Sequence, residues 1–390
     1  MFSARSSFDL SANPLSIALA RARASGRNIL DLTESNPTCA GIPYDEEAIS
    51  AALATSASLR YEPAPFGIAR AREAVARDLS AHGPTVDASR VVITASTSEA
   101  YAFLFKLLAD PGDEVLVPAP SYPLFEHLAR LESLRAIPYR LAYDGAWHVD
   151  LASVRRSVSP HTRAIVVVSP NNPTGSYLKR DEIDALGSLE IPIVSDEVFA
   201  RFPLRADVTR VRSAREQGVA ALVFSLGGLS KLAALPQMKV AWMALAGEEH
   251  RIDAALGRLE VIADAFLSVG TPVQHALPGL LASRGTAERA IRDRTRANLV
   301  RAEAAVAGSA VSLLDVEGGW YATLRLPGTE SEDRWVLGLL EHDGVYVHPG
   351  HFFDFEEEAY VVISLLTPEE TLAEGMRRIV NRVGKGVGGR

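Results

Sequence analysis

Between residues 90 and 245 the chain repeats one pattern: a short, almost wholly apolar run, then a turn, then helical periodicity. Val91-Val92-Ile93-Thr94 reads as a strand and leads into a helix with apolar residues at Phe103, Leu104, Leu107 and Leu108. Further runs cover Glu114–Val117, Ala164–Val168, Ile191–Val194, Ala221–Phe224 and Val240–Leu245. These runs are too apolar to leave one face in water. They predict an α/β sheet covered by helices on both sides and largely parallel. Pro111-Gly112-Asp113 supplies a turn between helix and strand.

The last third changes character. Helical stretches at about 248–266 and 286–307 precede strands at Ser312–Leu314, Trp320–Leu326, Tyr346-Val347 and Tyr360–Leu365, and a final helix starts from Pro368. A smaller α+β domain is expected there. The expected division is 1–47 as a segment packing with the small domain or reaching a partner subunit, 48–280 as the large domain and 281–390 as the small one. The glycine-rich end after Arg382 reads as a frayed tail.

With 390 residues the chain exceeds what a single hydrophobic core comfortably serves, in keeping with two domains. A formal net charge of −8 argues against nucleic-acid binding, which calls for a basic face. No apolar stretch approaches the roughly 18 residues that span a bilayer, and the N-terminus lacks the apolar core of a secretory signal. Cys39, the single cysteine, excludes an intrachain disulfide and a thiolate metal cluster. The expected location is cytoplasmic.

Open α/β sheets place ligands at the carboxyl ends of their strands, and several segments there are unusual. Thr94-Ala-Ser-Thr-Ser-Glu99 puts small hydroxyl residues at a helix start, where they cap free N–H groups or help bind a phosphate. Ser169-Pro-Asn-Asn-Pro-Thr-Gly175 freezes a loop in which an asparagine amide donates in a fixed direction; the alternative is a rigid turn. Ser195-Asp196-Glu197 leaves a buried strand, where an acid serves as helix cap, metal ligand or partner for a ring nitrogen. With no histidine or cysteine at ligand spacing, metal is disfavoured. Lys231 stands in an otherwise apolar, glycine-bearing segment, Phe224–Trp242. It either snorkels to solvent or, if desolvated, becomes a neutral amine able to attack a carbonyl.

Taken in order, SPNNPTG, SDE and S-K-x-x-x-L-P-x-x-K resemble the class I/II aminotransferases of the fold type I pyridoxal-phosphate enzymes. The likeness runs from about Leu32 to the last helix. It implies pyridoxal 5'-phosphate as cofactor, an amino acid or amine as donor, an oxo acid as acceptor, and no metal, nucleic acid or membrane partner. Lys231 would form the internal imine and carry the proton, Asp196 would pair with the pyridinium nitrogen, and Asn172 would hydrogen-bond the ring's 3'-oxygen. Tyr122 would stack on the ring, with a buried core tyrosine as the alternative. Ser96, Thr97, Ser98, Ser230 and Lys239 would hold the phosphate. Tyr61, in Tyr61-Glu-Pro-Ala-Pro-Phe-Gly67, matches the tyrosine that reaches the neighbouring subunit's phosphate, which implies a homodimer with shared sites.

Three positions depart from the family pattern. Phe199 stands where a tyrosine usually donates to the 3'-oxygen, so a raised imine pKa is expected. Lys239 replaces an arginine, keeping the charge but losing the fork. Val362, in Tyr360-Val-Val-Ile-Ser364, replaces the arginine that clamps a substrate carboxylate. Either Arg201 or Arg205 takes over, or the substrate is not an ordinary α-amino acid. Glu34, Ser35, Asn36, Gly318–Tyr321 and His348–Phe353 match loops that flank the site. The leading expectation is amino transfer. A carbon–sulfur β-lyase on the same scaffold is the first alternative. A transcription regulator on this fold is a further one, disfavoured because its DNA-binding domain has no room before residue 32, and a non-catalytic binder is another, disfavoured by the intact set of Lys231, Asp196 and Asn172.

Overall fold

The computed structural model of this chain describes residues 1–216, 218–267, 269–357 and 359–387. Its larger sheet has eight strands: β1 Val91–Thr94, β2 Glu114–Ala119, β3 Arg135–Tyr143, β4 Trp147–Val149, β5 Thr162–Val168, β6 Ile193–Asp196, β7 Val223–Gly228 and β8 Ala241–Ala246. The order across the sheet is β1-β8-β7-β6-β5-β2-β3-β4. β7, β6, β5, β2 and β3 pair in parallel, whereas β8 runs against both β1 and β7, and β4 against β3. The expected mostly parallel sheet is therefore present. β1, β2 and β6 are buried along their whole length. Their alternating side chains enter two different cores: Val194, Phe224 and Leu226 face the helices Thr97–Leu108 and Glu249–Phe266, and Ile193 and Val223 face the opposite layer.

The strands β3 and β4, at one end of the sheet, were not foreseen. β3 is exposed or half-exposed along much of its length and carries Pro138, arginines and alanine, so it lacks the continuous apolar run of its neighbours. The helices Ala69–His82 and Thr271–Ser283 were also missed; the second contains Pro278. The other six strands of this sheet came out within a few residues of expectation, whereas the short strands Leu30–Asp31 and His348–Pro349 elsewhere were not expected.

A second sheet of four antiparallel strands, in the order β9-β10-β12-β11, comprises β9 Ser312–Leu313, β10 Tyr321–Arg325, β11 His348–Pro349 and β12 Tyr360–Ser364. One face of it (Ala322, Leu324, Val361 and Ile363) shares a core with Leu15, Ala18, Leu32, Leu299 and Met376. The two-residue strand Leu30–Asp31 pairs in parallel with Val345–Tyr346.

The expectation of a frayed tail after Arg382 is corrected. The last helix runs from Glu369 to Val387, and its apolar stripe Leu372, Met376, Ile379 and Val383 stays buried as far as Val383. Residues 388–390 of that tail lie outside the described residues. Among the described residues no helix is long and apolar enough to cross a membrane.

Candidate active site

Sheet register gathers the singled-out loops at one edge. Val168 pairs with Asp196, and Asp196 with Leu226, so the carboxyl ends of β5, β6 and β7 lie side by side. Ala241 pairs with both Thr94 and Gly228. Ser96 and Ser230 each lie two residues beyond those positions, and Lys239 lies two before Ala241. The five proposed phosphate residues are thereby brought to one corner. Ser96 caps the helix Thr97–Leu108: its Oγ accepts from Glu99 N at 3.1 Å, and Glu99 Oε2 accepts from Ala95 N at 2.6 Å. The first-turn N–H groups of Thr97 and Ser98 have no acceptor within the helix. Lys239 is exposed, with left-handed backbone (φ 52°).

The Ser169–Gly175 loop is held by a residue that sequence reasoning passed over. Asn171 Nδ2 donates to Pro120 O at 3.0 Å and Thr174 Oγ1 at 2.9 Å, and its Oδ1 accepts from Ser121 Oγ at 2.6 Å. Asn171 thus ties this loop to the one carrying Tyr122. Gly175 has φ +73°, and a Cβ there would fall 2.3 Å from Val316 and 2.6 Å from Gly318 O, so glycine is required. Asn172 is left aimed elsewhere; it is buried, and its Oδ1 has no partner within the protein.

Asp196 is buried at the end of β6. Its carboxylate accepts from Val198 N at 3.2 Å and from the Tyr101 hydroxyl at 3.4 Å. Burial, partly opposed by these two hydrogen bonds, raises its pKa to about 6. Tyr101 lies 95 residues away on the helix after β1, and no local spacing advertised it.

Lys231 sits in the single-turn helix Leu229–Leu232 after β7. Its Nζ lies 5.1 Å from the centroid of the Trp320 ring and 5.5 Å from that of Phe199, and it makes no ion pair with a described residue. Enclosure lowers its pKa, with the Asp196 charge opposing the shift. A lysine so placed does not snorkel. Phe199 meets Trp320 edge-on at 5.2 Å and Tyr321 at 6.2 Å. Tyr122 is 38% exposed and packs edge-on against Phe125 at 5.9 Å. Burial raises its pKa, and the Asp196 charge adds to that. Tyr61 is 72% exposed.

Val362 is fully buried in β12, in register with Thr323 on one side and His348 on the other. Arg201 and Arg205 do not serve as free substitutes for the missing clamp. Arg201 pairs with Glu288 at 3.0 Å; Arg205 pairs with Glu303 at 2.6 Å and also with Asp315. The Trp320 ring over Lys231 and Glu317, which accepts from Tyr177 N at 2.7 Å and pairs with Lys179, complete the wall from the small domain.

A sequence model described as aminotransferase class I and II matches residues 27–379. The chain is 27% identical over 257 residues to the glutamate-pyruvate aminotransferase AlaA of Escherichia coli K12, covering 65% of this chain and 63% of that protein, so the match spans somewhat under two thirds of the relative. It is 24% identical over 383 residues to an alanine aminotransferase of Mycobacterium bovis, covering 93% and 87% respectively. The fold matches an alanine aminotransferase from Pyrococcus furiosus with a TM-score of 0.87 at 22% identity, over 99% of this chain and 100% of the other.

Proposed function

Because this chain belongs to the class I and II aminotransferase family, we propose that it holds pyridoxal 5'-phosphate at the carboxyl edge of its large sheet and moves an amino group between an amino acid or amine and an oxo acid. The observation that carries this reading is Lys231: an enclosed amine without an ion pair among the described residues, its pKa depressed, just beyond the strand that neighbours the one ending in a buried carboxylate. The residues fit the cofactor. Asn172 is a buried amide that the protein leaves incompletely hydrogen-bonded, and Asp196, raised to about 6 by burial, is a carboxylate that a cation beside it would stabilise.

When bound, the cofactor supplies an aldehyde for an amine and a ring that accepts an electron pair from the substrate carbon. Lys231, whose enclosure lowers its pKa and so makes the amine easier to deprotonate, offers its lone pair as nucleophile and afterwards takes and returns the proton at Nζ. Asp196 keeps a proton on the ring nitrogen by its charge, and the Tyr101 hydroxyl and Val198 N–H fix its carboxylate. Asn172 would donate its amide to the ring's 3'-oxygen, and Tyr122 would stack on the ring. Ser96, Thr97, Ser98 and Ser230 give hydroxyl and N–H donors to the phosphate, with Lys239 as counter-charge. Phe199 and Trp320 keep water from the Lys231 amine.

We further propose the division 1–47, 48–280 and 281–390, a cytoplasmic location, and a homodimer in which Tyr61 reaches the partner's phosphate. Exposed Leu59, Tyr61 and Leu267 support that pairing. Alanine and glutamate, named in the relatives, are the first donors to test. The neutral Val362 row favours amines without a free carboxylate at the reacting carbon. The test is to mix the cofactor-loaded protein with a panel of amino acids, their amides and amines. Loss of the cofactor's yellow absorbance with one equivalent of oxo product and no ammonia supports amino transfer. Release of ammonia and pyruvate with the yellow form retained contradicts it and points to a β-lyase.

A further inference from the structure

Behind the two strands that carry Asp196 and Lys231 lies a second cavity, of about 770 Å3. Ser225, Leu226 and Gly227 of β7 and Glu197 just after β6 line the cavity, and Leu226 also belongs to the core beside Tyr101. Residues 198–213 arch over it, and the end of the helix Ala69–His82 forms the far side. Val198, Leu232 and Trp242 give it apolar walls.

Its charge is unbalanced. Seven arginines line it against three carboxylates, Asp78, Glu197 and Asp207. Those carboxylates are engaged: Asp78 with Arg284, Asp207 with Lys179 at 3.2 Å, and Glu197 through Oε1, which accepts from Ser195 Oγ, Ser213 Oγ and Ala214 N. Arg201, Arg205 and Arg292 have partners in Glu288, Glu303 and Asp315. Arg210, Arg212, Arg215 and Arg296 have no carboxylate within 4.0 Å among the described residues. Arg210 instead stacks on Tyr177 at 4.6 Å, and Arg215 donates to Pro84 O at 3.3 Å.

The unpartnered polar atoms in this wall are all donors. Trp242 Nε1 and Arg215 Nε, on residues 2% and 6% exposed, have no acceptor, nor do Arg201 Nη1 and Arg210 Nη1. A buried donor without an acceptor is unfavourable, and a guanidinium fork matches carboxylate and phosphate oxygens. Burial also pulls the Arg215 pKa below its ordinary value, with the nearby Glu197 charge opposing the shift.

We propose that this cavity binds a small organic anion, its carboxylate or phosphate head held by Arg210, Arg212 and Arg215 and its apolar body lying against Trp242 and Leu232. The site is separate from the one that holds Lys231, and the inference stands whether or not amino transfer is the reaction.

Calorimetric titration of the cofactor-saturated protein tests it, with phenyl phosphate, phenylacetate and uncharged 2-phenylethanol as probes. The expected result is one site per chain for at least one anion, weakened tenfold or more in Arg210→Gln and in Arg215→Gln, and unchanged in Lys231→Ala. Preference between the two anions identifies the head group. Arg210 is half-exposed on the covering segment, so its variant decides the matter if Arg215→Gln does not fold. Equal affinity in Arg210→Gln and wild type, tight binding of 2-phenylethanol, or no binding of either anion overturns the proposal.

Discussion

At the cleft the eight-stranded sheet offers titratable groups, and the four-stranded sheet offers neutral ones. Asp196 and Lys231 end β6 and follow β7, each with its pKa displaced by enclosure. Across from them, strand alternation puts Tyr321 and Thr323 of β10 on one face with Val362 and Ser364 of β12, and His348 joins the same row. Tyr321 touches Phe199, so this face closes on the site. Burial depresses the His348 pKa, which keeps that ring uncharged near neutral pH. The difference assigns the two sheets different tasks. On the proposed function, the large one would fix the chemistry through charge, and the small one would select what the chemistry acts on through shape and hydrogen bonding.

The sharpest way to break that division is Lys231→Ala. It removes nucleophile and proton carrier together, so amino transfer in stopped-flow half-reactions is expected to fall by about 10^3-fold or more. Asp196→Asn follows, with an expected loss of about 10^2-fold in kcat/KM once the buried charge is gone. The same substitution has an opposite effect on the cofactor-free fold. A carboxyl with folded pKa near 6 and unfolded pKa 3.8 binds its proton more tightly when folded, so it lowers stability as pH rises through that window. Above pH 6 the penalty is on the order of 3 kcal/mol, and below 3.8 it vanishes because both states are protonated. Asp196→Asn is expected to raise the Tm of cofactor-free protein at pH 7.5 and to leave it unchanged near pH 3.5.

Two smaller effects sharpen the selecting face. Val362→Arg places a cation in the neutral row, and it is expected to shift the kcat/KM ratio of L-alanine to L-alaninamide about tenfold toward the acid. It also costs about 2 kcal/mol in denaturant unfolding, because a fully buried position must accept a larger side chain. Phe199→Tyr returns a donor to the ring oxygen. The pH midpoint of the bound cofactor's visible absorbance is expected to fall by about 1 unit, and a rise would contradict the role given to this position.

The large sheet was legible because β1, β2 and β6 are buried end to end, and continuous apolar runs announce themselves locally. β3 stayed hidden because a strand half in water, flanked by β4 only over Leu141–Tyr143, needs no such run. The site divides in the same way. Lys231, Asp196 and Asn172 stand in loops whose own composition is odd. Tyr101, Asn171, Glu317 and Trp320 act through partners far along the chain, and no spacing encodes those pairings. Arg201 and Arg205 misled for the same reason: their carboxylate partners lie 87 to 110 residues away. The tail went wrong through its glycines, because the buried stripe through Val383 outweighs their low helix propensity.

The account depends most on the covalent attachment of the cofactor to the Lys231 amine. Borohydride reduction of the cofactor-saturated, folded protein, followed by peptide mass analysis, reads this directly. The predicted result is a reduced cofactor adduct on the peptide containing Lys231 and absent from the Lys231→Ala protein. An unmodified Lys231 peptide, or an adduct on another lysine, would contradict it.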